Sequence, residues 1–129
     1  MRRRALWLGL VLALTATGAC GDGDDGPGAL LVTVEMPAGR VGAAVLELTG
    51  EGLLGVEGTG SARAIGRTTA SGALRIVVAA IGAQPPVVRV PVVNRNAALP
   101  VAVVLQASDA SDLPLSGVGQ VQVRIEPEG

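Results

Sequence analysis

From residue 29 onward the sequence predicts an all-β domain. It reads as an antiparallel β-sandwich of six to eight short strands, jelly-roll or immunoglobulin-like, after an N-terminal signal helix. Three observations carry this expectation. Apolar residues recur at every second position, the mark of a strand with one face on a core and the other in water. Turn formers interrupt these runs at intervals of about eight to twelve residues, the spacing of sandwiches and barrels. No window after the leader combines helical periodicity with caps. Of the 129 residues, about 100 remain for this domain, an ordinary size for one sandwich.

Each strand follows from its own pattern. Residues 29–36 alternate Leu30, Val32, Val34 and Met36 inward against Leu31, Thr33 and Glu35, and Pro37 to Gly39 end the run. Residues 43–49 place Ala44, Leu46 and Leu48 inside, with Val45, Glu47 and Thr49 outside. The glycine-punctuated segment 50–60 is a loop with room for a short strand near residues 53–56. A weak strand over 61–65 and a turn over 66–72 follow. Residues 73–80 then set Leu74, Ile76, Val78 and Ala80 against Arg75, Val77 and Ala79. Pro85 and Pro86, which cannot donate to a ladder, break that run. Residues 87–93 bury Val88, Val90 and Val92, and Pro91 on the outer face marks an edge strand or a bulge. Asn94 to Asn96 make a turn, and residues 101–107 are expected to point Val101, Val103 and Leu105 inward. A loop over 108–117 leads to the last strand, 118–126, with Val121, Val123 and Ile125 inside.

The leader carries a different signal. Met1-Arg2-Arg3-Arg4 precedes an apolar run over residues 5–16. About a dozen residues fall short of the ~20 of a spanning helix, so the run reads as an export signal. An uncleaved signal anchor and plain secretory cleavage before Cys20 are the alternatives. Thr17-Gly18-Ala19-Cys20 resembles the lipobox of bacterial lipoproteins, with Thr17 where leucine is usual. Cys20 is the single cysteine, and a lone thiol in an exported chain calls for pairing or modification. The resemblance implies that residues 1–19 are a signal peptide and that Cys20 bears lipid chains of the palmitate class. Each buried methylene contributes about 0.8 kcal/mol, so two or more chains hold such a protein on a membrane. Gly21 rather than Asp follows the cysteine, which in the lipoprotein pattern implies outer-membrane sorting. Residues 20–28 then form a Gly- and Asp-rich tether that cannot bury a core. Asp22, Asp24 and Asp25 look like a fragment of a calcium loop, but the twelfth position holds Thr33 in place of the required Glu.

Composition narrows the chemistry. Net charge is −1, and all ten basic residues are arginines. Without the three arginines of the leader, seven face eleven acids, a net charge of −4. An acidic chain with no basic cluster has no electrostatic footprint for nucleic acid. There is no His, Tyr or Phe, and Trp7 lies in the leader. The domain therefore lacks the usual general base near neutral pH, the usual zinc ligands and any aromatic platform for sugars or bases. Carboxylates remain: Glu47, Glu51 and Glu57 around one loop, Asp109 and Asp112 in another. Solvated loop residues explain the first group. For Asp109 and Asp112 an Asx turn and a calcium site with loop carbonyls stay open. No cofactor and no metal are expected, and the chain is expected not to be an enzyme.

The runs GALLVTVEMP, GAAVLELTG, GALRIVVAA, VVRVPVV and VAVVLQASDASDLP stand in an order similar to cohesin-like domains, across about residues 28–126. That family is a jelly-roll sandwich that binds other modules, and the resemblance implies a sandwich that acts by contact. The chain is shorter than the family and no partner-contacting position carries over. The functional expectation is a non-catalytic, lipid-anchored envelope module for protein binding or adhesion. A structural or assembly subunit of the envelope is the alternative.

Overall fold

A computed structural model describes residues 26–36, 39–111, 113–115 and 118–129. Seven strands follow one another: β1 (Gly28–Glu35), β2 (Val41–Thr49), β3 (Ala62–Thr68), β4 (Leu74–Ala80), β5 (Val87–Val92), β6 (Val101–Asp109) and β7 (Gln122–Pro127), with a short 3-10 turn at Val118–Gln120 before the last. They form a three-stranded sheet, β5-β1-β7, and a four-stranded sheet, β3-β4-β2-β6. Every pairing is antiparallel. The expected all-β sandwich is the observed fold. The expected signal peptide, Cys20, the acidic part of the expected tether and Asp112 lie outside the described residues.

The alternation read from the sequence places most of the core. Val32, Val34, Leu46, Leu48, Ile76, Val78, Val88 and Val90 are buried without trace of exposure. Registered pairs explain why they meet: Val32 lies opposite Val88, and Leu46 opposite Ile76. Burying a large aliphatic side chain contributes about 1.5–3 kcal/mol, and here aliphatics fill both inner faces with no ring among them. Pro91 sits on β5 at the edge of its sheet, as its missing donor requires. Its carbonyl accepts the Leu54 N–H at 2.9 Å. The segment at residues 53–56 is not a strand; Leu53 and Glu57 instead make isolated bridges to Val92 and Arg89.

β6 corrects the sequence reading. Val101, Val103 and Leu105 face solvent at 67, 51 and 39 % exposure, while Ala102, Val104 and Ala107 pack against the core. Val104, which alternation with an inward Val103 and Leu105 would put on the outer face, is on the inner one. Register gives the reason. Ala102 pairs with Leu48 and Val104 with Leu46, and directly opposed residues share a face. An irregularity beside Val45 and Leu46 absorbs Leu105, which brings Ala107 opposite Ala44. Because residues 101–105 (VAVVL) are apolar at both parities, alternation alone could not choose between the faces. A second irregularity falls at Gly42, where a Cβ would collide with the Asp109 carbonyl oxygen.

Candidate contact surface

The two long sides of the sandwich differ. On the β3/β5 side the loop after β2 closes the gap. Glu57 and Arg89 exchange backbone hydrogen bonds at 2.7 and 2.9 Å. Thr59 Oγ1 donates to the Val87 carbonyl at 2.6 Å, and Val87 N donates to Ser61 Oγ at 3.0 Å. On the opposite side β6 and β7 are the sheet edges and do not pair. Between them lies an open groove of about 520 Å³ lined by the apolar side chains of Ala102, Val104, Val121, Val123 and Ile125.

β6 carries little of what normally blunts an edge strand, such as charge, proline or a covering loop. No charged residue and no proline occurs from Val101 to Ser108. Among the described residues its end is covered, where Leu115 N donates to the Ala107 carbonyl and Asp109 N to the Leu113 carbonyl, each at 3.0 Å, and the 3-10 turn at Val118–Gln120 also lies against the strand. Among the described residues, no backbone hydrogen bond from outside the ladders reaches residues 101–106. Their outer face continues into a cross-sheet row, since Ile65 pairs with Val77 and Val77 with Val45. Ile65 is 75 % exposed.

The other outer-face apolars expected from sequence do not join this surface. Leu31 and Val87 belong to the three-stranded sheet and are half-buried, and Val93 lies past the end of β5. Nothing in the alternation pointed to the β6–β7 groove. The available signal was a strand apolar at both parities, which implies burial or contact on two faces.

Among the described residues, the carboxylates singled out from sequence do not converge. Glu47 accepts a hydrogen bond from Arg75 Nη2 at 2.7 Å on the outer face of the four-stranded sheet. Glu57 accepts from Arg89 Nη1 at 3.0 Å. The same guanidinium donates twice to Glu128, at 2.9 and 3.1 Å. Those bonds hold the Glu128 carboxyl below its ordinary pKa and raise that of Arg89, with partial desolvation opposing both. Glu51 is exposed in its loop. Asp109 Oδ1 accepts the backbone N–H groups of Ser111 at 2.8 Å and Leu113 at 3.1 Å, an Asx turn that uses one carboxylate oxygen for loop geometry. Among the described residues, no three of His, Cys, Asp and Glu group closely enough to hold a metal ion.

No family model, curated protein or solved structure matches this chain.

Proposed function

We propose that this chain is a non-catalytic lipoprotein of a bacterial envelope, anchored through Cys20, whose sandwich binds a protein partner along β6. The observation that carries the reading is the bare, charge-free edge of β6 above an open groove lined by apolar side chains. Strand addition to such an edge gives affinity through main-chain hydrogen bonds and specificity through alternate side chains, and the groove beside the edge supplies room for them. The lipobox resemblance supports the anchor, and the cohesin-like order of strands supports action by contact. Outer-membrane placement is part of the same proposal.

Assembly from copies of the chain is the second reading, favoured by the self-complementarity of β6. With Val103 on a two-fold axis, Val101 would face Leu105, and no charge would meet a like charge. Pull-down from detergent-solubilised membranes separates the two. A defined heterologous protein, retained by the native chain and lost with Val103→Arg, is expected. Recovery of copies alone would favour assembly, and a partner retained undiminished by Val103→Arg would refute the β6 surface.

A further inference from the structure

The described chain begins at one end of the sandwich, and that end is unusually apolar. Gly26 accepts a hydrogen bond from Arg95 N at 2.9 Å, and Gly28 pairs with Val92. Beside them, Val93 N donates to the Gly52 carbonyl at 2.9 Å, and Leu53 bridges Val92. Pro100 lies against Gly50, and Val101 opposite Thr49. Three connections therefore meet here: those before β1, between β2 and β3, and between β5 and β6. Loop tips are ordinarily polar. At this end they present Leu54 at 62 %, Val93 at 55 % and Leu99 at 50 % exposure, with Val101 alongside.

We infer that this rim is a lipid-facing surface that seats against the bilayer holding the Cys20 anchor. The inference rests on the proposed lipidation and adds an orientation to it. Gly26 lies six positions after Cys20, and six fully extended steps of the chain span at most about 20 Å. The rim is thus the part of the domain that the anchor keeps within reach of the headgroups. The far end is not equivalent, although Leu113 and Ile81 there are 61 and 43 % exposed. β6 runs nine residues from Val101 at the rim to Asp109 beside Leu113, a separation of about 26 Å at 3.3 Å per residue. Partition of exposed apolar side chains into the interface favours rim-down seating. The exposed Arg95, Asn94 and Glu51 of the same loops then lie at headgroup level. Seated this way, β6 rises from Val101 at the membrane surface toward Asp109 at the far end.

The chain supplies its own control for a test, because no aromatic residue follows Cys20. Lipid-bearing protein that begins at Cys20, with Leu99→Trp, Leu54→Trp or Leu113→Trp, is reconstituted into phosphatidylcholine vesicles brominated on the acyl chains. Tryptophan at positions 99 and 54 should be quenched at least about twofold more than at 113. Equal quenching at all three, in protein that floats with the vesicles, would overturn rim seating and leave the anchor intact. Failure to float would overturn the anchor itself, and the seating with it.

Discussion

The inverted face of β6 makes a sharp prediction, because adjacent residues should respond to one substitution in opposite ways. Asparagine in place of Val103 or Val104 introduces the same amide and the same loss of strand propensity. Val103 is 51 % exposed and its new amide would reach water, so the cost is about 1 kcal/mol or less. Val104 lies opposite Leu46, which is fully buried, and packs on the core. There the change removes part of a valine's burial, about 1 kcal/mol for a half-buried side chain. It also sets an amide against apolar neighbours, for about another 1–3 kcal/mol. The difference between the variants is thus about 2 kcal/mol. Urea unfolding followed by far-ultraviolet circular dichroism suits a domain with no aromatic residue. With a slope of about 1–2 kcal/mol per molar for this size, the Val104→Asn midpoint should lie about 1–2 M below that of Val103→Asn. Equal midpoints, or a lower one for Val103→Asn, would refute the inward placement of Val104.

Three further outcomes follow from the same geometry. Gly42→Ala should cost about 1–3 kcal/mol by overpacking against the Asp109 carbonyl, read as a lowered urea midpoint, whereas Gly60→Ala, with open space around its Cβ position, should stay within about 0.5 kcal/mol of the parent. Arg89→Gln should return the Glu128 pKa toward its ordinary 4.5, measured by NMR titration of the side chain. Because the folded-state pKa is the lower one, the stabilisation from this pair is present above the ordinary value and fades as pH falls through it toward the depressed one; the variant should lose that part of the acid dependence. Asp109→Asn keeps the oxygen that accepts Ser111 and Leu113, so its unfolding midpoint should match the parent, while Asp109→Ala should lose about 1–2 kcal/mol.

The legible parts of this fold are those where polarity alternates. In β4 and β5, residues such as Arg75 and Arg89 mark the outer face, and the buried set follows; in β1, Thr33 marks that face in the sequence but is itself buried. β6 offers no such mark, since its outer valines and its inner Ala102 and Val104 are chemically alike. Its facing is decided by pairing with Leu46 and Leu48, a long-range fact that a local pattern does not contain. The same holds for the groove, which exists because two edges from different sheets end up side by side. The ion pairs of Glu47 and Glu57 were equally hidden, because Arg75 and Arg89 reach them only through strand register. The Asx turn at Asp109, by contrast, was one of the two readings SDASD offers, because its donors, the Ser111 and Leu113 N–H groups, are only two and four residues away.

Everything proposed about function begins at Cys20, and the intact mass of the protein extracted from membranes tests it most directly. The account predicts a chain that starts at Cys20 and is heavier than its residues by a lipid with at least two acyl chains. A mature chain with an unmodified Cys20 thiol would contradict it.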